Sequence, residues 1–172
     1  MWLVLSGAGY LSPNNAFAFE SKSGPAAAEV VAHLYRDHAW EAMASSSGPN
    51  DKGFGPPIAQ ASRQVLEQYF EKHLVDLLER DARCEDKHEG EVCNLDFNIL
   101  FSSQDPAATD LSVEAIGQND VMVSFTYPSN SEKIRIEYVT VEASGGWKIK
   151  DIIFHNRNNL SLVKLLRRST SY

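Results

Sequence analysis

The fold is decided by residues 121–154, which read VMVSFTYPSNSEKIRIEYVTVEASGGWKIKDIIF. In three runs of this stretch, apolar residues alternate with polar ones, which is the period of two expected for a half-buried β-strand. The runs are separated by residues 128–131 and 143–146, two short segments rich in serine, glycine and other turn formers. Because connections this short favour antiparallel hairpins, the stretch predicts three consecutive antiparallel strands.

The same alternation starts one run earlier, where Leu111, Val113 and Ala115 precede the polar residues 118–120. This run adds a fourth strand, so the prediction becomes a four-stranded antiparallel meander. After the meander, residues 160–168 predict a short closing helix or a final strand.

Upstream of the meander, the apolar period is that of an α-helix. Residues 26–44 predict one amphipathic helix. A second helical segment begins after Pro56 and Pro57 and is expected to break near Glu71. Helices followed by an antiparallel sheet define an α+β domain, because the apolar stripes of the helices need the apolar face of the sheet to cover them. We therefore predict N-terminal helices packed on a curved antiparallel sheet.

Composition and charge limit the classes of protein and partner. The chain has 172 residues, of which 43% are hydrophobic, 10% aromatic and 23% charged. This composition is that of one globular domain and excludes collagen-like, coiled-coil and wholly disordered chains. With 23 acidic and 16 basic residues the net charge is −7, which makes the chain a poor candidate for binding nucleic acid or anionic lipid. We expect a protein partner or a small ligand instead.

The amino terminus predicts export. Residues 2–5 are apolar, and Ala16-Phe17-Ala18 has the small-x-small form that a signal peptidase accepts. We predict a signal peptide over residues 1–18 and a single α+β domain over residues 19–172, located in the periplasm or secreted. The alternative is a terminus that is not removed. No later stretch approaches the ~20 apolar residues of a membrane span, so no span is predicted.

The two cysteines, Cys84 and Cys93, bracket a charged loop. In an exported chain such a pair most simply closes a disulfide. The alternative is a metal site in which His88 and a nearby glutamate join the two thiolates, but the spacing lacks the close pairs of structural zinc sites. We predict the disulfide and no metal or other cofactor, because no cofactor-binding or nucleophile motif occurs in the sequence.

Short motifs in the second half of the chain resemble a known family. They are Asp96-Phe97 and Ser103-Gln104-Asp105 after the helices, and the hairpin that ends in GWKIKDI at residues 146–152. Over residues 30–166 the chain resembles the bacterial family called domain of unknown function 3828, which belongs to the nuclear-transport-factor-2-like superfamily. The resemblance implies a cone-shaped fold and export. The family also includes lipoproteins, but no cysteine lies close after the apolar start of this chain, because the first one is Cys84. The family has no established reaction.

One candidate binding site is the polar group formed by Asp96, Gln104 and Asp105, in an otherwise featureless stretch. Two carboxylates that meet across a bend can bind a cation or exchange a proton. The alternative is a local role, in which Asp105 and Gln104 satisfy the backbone of a turn.

A second candidate site lies on the last predicted strand. With a period of two, Asp151 shares a face with Trp147, Ile149 and His155. This arrangement places a carboxylate and an imidazole on the apolar side of the sheet, where cone folds of the resembled superfamily often hold a ligand. The alternative is that Asp151 bonds a backbone amide or an arginine. Two tyrosines are expected to line the same cavity: Tyr127 and Tyr138.

These observations favour a non-catalytic function. We predict an exported envelope accessory or binding protein that engages a protein partner or a small ligand, one form of which is an immunity-type inhibitor of a periplasmic toxin. The competing hypothesis is a small-molecule lyase, isomerase or hydrolase. It uses Asp151 as general base, His155 or Tyr127 as proton donor and Trp147 as an apolar wall, and it requires an open cavity around them.

Overall fold

The structure is a computed structural model that describes residues 26–42, 55–87 and 92–168. The predicted signal peptide, residues 1–18, lies outside the described residues. Within them, helices come first and an antiparallel sheet follows, which confirms the α+β class. The elements in chain order are α1 (Ala26–His38), α2 (Arg63–Tyr69), α3 (Lys72–Lys87), β1 (Thr109–Ala115), β2 (Asp120–Thr126), β3 (Lys133–Ala143), β4 (Gly146–Phe154), β5 (Leu160–Ser161) and α4 (Leu162–Leu166).

The sheet is open and its strands follow chain order, β1-β2-β3-β4-β5. Every neighbouring pair is antiparallel, so the predicted four-stranded meander is confirmed. The segment expected to form a closing helix or a final strand forms both, because the two-residue β5 pairs with the end of β4 and leads directly into α4.

The helical segment breaks where the sequence predicts it. Phe70 follows α2 in an extended conformation, with φ −104° and ψ 149°. The backbone N–H of Glu71 then donates to the carbonyl of Ile149 at 2.8 Å. The ammonium of Lys148 donates to the carbonyls of Glu67 and Gln68, each at 2.8 Å, at the end of α2. The junction of α2 and α3 is therefore fastened to β4.

The interior between the helices and the sheet is filled by aromatic and aliphatic side chains. Tyr35 of α1 donates a hydrogen bond to the carbonyl of Leu100 at 2.6 Å, and its hydroxyl lies 2.8 Å from that of Tyr138. Both tyrosines are fully buried, and burial raises the pKa of each. Tyr138, which is predicted to line an open cavity, is thus packed inside the core.

A β-bulge divides β4 and changes which side chains face the core. Thr140 pairs with Ile149 and Val139 pairs with Asp151, which leaves Lys150 as the extra residue. Ile149 and Ile152 are therefore both buried, whereas Asp151 lies on the opposite side of the strand from Ile149. The prediction that Asp151 shares the apolar face with Ile149 is wrong, because the strict period of two ends at the bulge.

Candidate functional site

Asp151 holds the N-terminus of α4. Its Oδ1 accepts hydrogen bonds from the backbone N–H groups of Ile152 at 2.8 Å and Val163 at 3.0 Å, and its Oδ2 accepts from the hydroxyl of Ser161 at 2.7 Å. The Ser161 hydroxyl in turn caps the helix by accepting from the N–H of Lys164. The Asp151 carboxylate therefore accepts hydrogen bonds from backbone amides, which is the alternative that the sequence left open for this residue.

The other residues of the proposed acid–base set are held apart from Asp151. His155 follows β4, and its ring contacts Glu137 through Nε2 at 3.0 Å and Asn159 through Nδ1 at 2.7 Å. The hydroxyl of Tyr127 donates to the carbonyl of Phe101 at 2.5 Å. Within the described ranges, no hydrogen bond joins any two of Asp151, His155 and Tyr127. Trp147 is half-buried and packs against the core cluster.

A cleft of about 520 Å³ lies elsewhere, between α3 and the loops that precede the sheet. Its walls come from the short turns at Ala39–Ala42 and Ile58–Gln60, from α3, and from residues 92–106. Asp96 and Gln104, two of the predicted binding residues, both line the cleft. Asp105 is exposed beside it, and its backbone N–H bonds the hydroxyl of Ser103, which matches the local role considered for this residue.

The floor of the cleft is apolar and anchored in the core. It includes Leu78, Phe97 and Ile99, all of which are buried. The ring of Phe97 meets Phe154 edge-on, with centroids 5.0 Å apart, and the guanidinium of Arg157 lies 4.0 Å from its centroid. The floor is thus fixed to β4 and to the turn that follows it.

Glu41 ties together the segments at one end of the cleft. This side chain is only 2% exposed. Its Oε1 accepts from the backbone N–H of Ile58 at 2.8 Å and lies 3.1 Å from Nδ1 of His38. Its Oε2 accepts from the side-chain amide of Asn98 at 2.5 Å. These hydrogen bonds offset the cost of burying the carboxylate. Because they join Ile58 and Asn98 to the turn that carries Glu41, the side chain holds this wall of the cleft together.

Asp81 fastens the opposite wall to α3. This buried carboxylate accepts from the backbone N–H and the side-chain amide of Asn94, at 3.1 and 2.8 Å, and from the N–H of Leu95 at 3.2 Å. The predicted disulfide joins Cys84 to Cys93 directly beside this clamp, with Cα atoms 6.1 Å apart. The metal alternative for the cysteines used His88, which lies outside the described residues.

Glu85 and Asp96 carry negative charge at the edge of the cleft, and we call this pair the acidic rim. Glu85 is half-buried and accepts from the side-chain amide of Gln60 at 3.2 Å. Burial, and then the nearby charge of Asp81, raise the pKa of Glu85. Asp96 is exposed. Among the described residues that line the cleft, four are carboxylates and none is lysine, arginine or histidine.

Sequence reasoning located part of this site and missed the rest. Asp96 and Gln104 stood out as a polar group, but Glu41 and Asp81 did not, because most of their hydrogen-bond partners lie 13 or more residues away along the chain. The i, i+4 spacing of Asp81 and Glu85 beside Cys84 is the one sequence feature that could have pointed to an acidic face of α3.

Comparisons with known proteins leave the family of this chain open. No family model, curated protein or solved structure matches it. The resemblance to the domain of unknown function 3828 family therefore stays a prediction. Across the described ranges, no helix has the length and apolar character that crossing a membrane requires.

Proposed function

We propose that this chain is an exported, non-catalytic binding protein of the cell envelope, and that the cleft between α3 and residues 92–106 engages its partner or ligand. The observation that carries the proposal is the cleft itself. At about 520 Å³ it falls within the size range of ligand sites, and it combines an apolar floor with a few polar groups at its edge.

The polar groups of the cleft support binding rather than proton transfer. Glu41 and Asp81 accept hydrogen bonds from backbone and amide donors, and Glu41 also contacts the His38 ring. In the described part of the chain no buried side-chain N or O atom lacks a hydrogen-bond partner. A general base must instead be free to accept a proton from a substrate. The lyase, isomerase or hydrolase alternative has less support, because its proposed base, Asp151, binds the N-terminus of α4.

The disulfide supports export. Disulfides such as Cys84–Cys93 persist in oxidising compartments and are rare in the cytosol. A non-catalytic partner-binding role in the envelope includes the immunity-type form, in which the cleft would receive part of a toxin. The fold by itself does not choose among such roles.

A fragment screen observed by NMR tests the proposal. We expect a set of neutral, cationic and anionic fragments to contain members that shift the backbone amides of Leu95, Asp96 and Gln104. Ala82 lines the cleft from α3, so Ala82→Phe should obstruct binding. Ala115→Phe is the matched control, because Ala115 is exposed at the end of β1. The proposal fails if no fragment shifts the cleft amides, or if both variants bind the same fragments equally.

A further inference from the structure

The cleft combines an apolar floor with an excess of negative charge, and these two properties indicate which kind of ligand it binds. Resting on the proposed function, we infer that the occupant is a segment of a protein partner that presents arginine or lysine. The cationic head would lie at the acidic rim of Glu85 and Asp96, and the aliphatic stem would cover the floor. Long basic side chains suit such a site because they pair an apolar stem with a charged end.

The charge of the cleft is not neutralised from within the described part of the chain. No described lysine or arginine lies within salt-bridge distance of the four cleft carboxylates, which are Glu41, Asp81, Glu85 and Asp96. Among the four, Glu41 alone has a histidine beside it. The donors that satisfy the two buried carboxylates are backbone and side-chain amides, apart from the His38 ring beside Glu41. Because a cleft lined by one sign of charge focuses the field at its mouth, a cation gains more there than on an open surface.

The floor is suited to an alkyl stem. Leu78, Phe97 and Ile99 present apolar side chains there. Arg157 already stacks on the ring of Phe97, 4.0 Å from its centroid, so the floor offers apolar contact and the acidic rim receives the charge. Trp40 also lines the cleft, from the same short turn as Glu41. Aromatic faces attract cations most strongly where water is displaced.

The shape of the cleft favours a protein segment over a small organic cation. Its rim is formed by residues from separate parts of the chain, and Gln60, Asp96 and Gln104 are all exposed. A partner surface can contact these rim groups while one side chain enters the cleft, whereas a small ligand would leave them in water. The net charge of −7 also speeds the approach of a basic partner.

The test compares two peptides that differ only in charge. The first is acetyl-GLRGLRG-amide, and the second replaces both arginines with citrulline, which keeps the shape and removes the charge. We expect the arginine peptide to shift the amides of Glu85, Leu95, Asp96 and Gln104 in an NMR titration. We expect the citrulline peptide to bind about three- to tenfold more weakly, as the loss of two partly exposed ion pairs implies. In about 1 M NaCl, where the Debye length is about 3 Å, the two affinities should converge.

Charge-neutralising variants assign the effect to the acidic rim. Glu85→Gln with Asp96→Asn should remove most of the preference for arginine. Glu114→Gln with Glu142→Gln is the matched control, because these two glutamates are exposed on β1 and β3 and do not line the cleft. The amide spectrum of each variant shows whether the fold is kept.

The outcomes separate this inference from the proposed function. Equal binding of the two peptides, or equal loss of binding in both pairs of variants, overturns the inference. If neutral or anionic fragments occupy the cleft and the arginine peptide does not, the inference is wrong and the proposed function stands. If nothing shifts the cleft amides, both are wrong.

Discussion

Replacing Asp151 tests whether this residue stabilises the fold or takes part in catalysis. The carboxylate accepts from the N–H of Val163 and the hydroxyl of Ser161 at the start of α4. Asp151→Ala removes a cap-like interaction, which costs about 1 kcal/mol, and leaves partly buried donors without an acceptor, which costs about 1–3 kcal/mol. We therefore expect the free energy of unfolding to fall by about 2–4 kcal/mol. For a chain of this size that loss lowers the melting temperature by about 4–16 °C.

Asp151→Asn provides an internal comparison. The amide keeps one acceptor oxygen but loses the charge that favours a helix N-terminus by about 0.3–1 kcal/mol, so we expect a loss of about 1 kcal/mol. Urea unfolding measures both variants, with Glu142→Ala as the control, because Glu142 is exposed on β3. Binding of the arginine peptide should be unchanged. A loss below about 0.5 kcal/mol for Asp151→Ala, the level of an ordinary surface change, would refute this account of the residue.

Three further predictions concern the disulfide, the α2–α3 contact and export. Replacing Cys84 and Cys93 by serine should cost about 2–3 kcal/mol of stability and should speed amide exchange in the cleft wall that Asp81 clamps; unchanged exchange would contradict the clamp. The Arg63 guanidinium, followed by Lys72, lowers the pKa of Asp76 from 3.8 to about 2, so the stabilisation is present above pH 3.8 and is lost as the pH falls towards 2. In a carboxyl NMR titration, Arg63→Gln should move the Asp76 midpoint upwards, and an unmoved midpoint would show that the pair does not form. Expressed in a secreting bacterial host, the mature chain should begin at Phe19 by intact mass; a chain that keeps residues 1–18 would contradict the signal peptide.

The sequence predicted the elements that depend on local pattern. The alternation around Val121 and Ile134 was sufficient for the meander, because each side chain faces the core or solvent according to its place in the strand. The break near Glu71 was also predictable, although its cause, the hydrogen bond to Ile149, was not. Local period and turn composition therefore account for the order of helices and strands.

The parts that failed depend on contacts between distant segments. The single extra residue of the bulge, Lys150, places Asp151 on the opposite face of the strand from the predicted one. Nothing in the local sequence indicates that a bulge occurs there. The inward position of Glu41 follows from Ile58 and Asn98, neither of which can be paired with it from spacing. Of the candidate site, Asp96 and Gln104 could therefore be predicted from the sequence, and the buried carboxylates that build its walls could not.

The most direct test of the cleft as a binding site is an isotope-filtered NOE spectrum of the labelled chain with the arginine peptide. We expect cross-peaks between the arginine methylene protons and the side chains of Leu78 and Phe97 on the cleft floor. Cross-peaks only to the sheet, on side chains such as Val139 and Ile153, or none to any side chain of the cleft, would contradict this expectation.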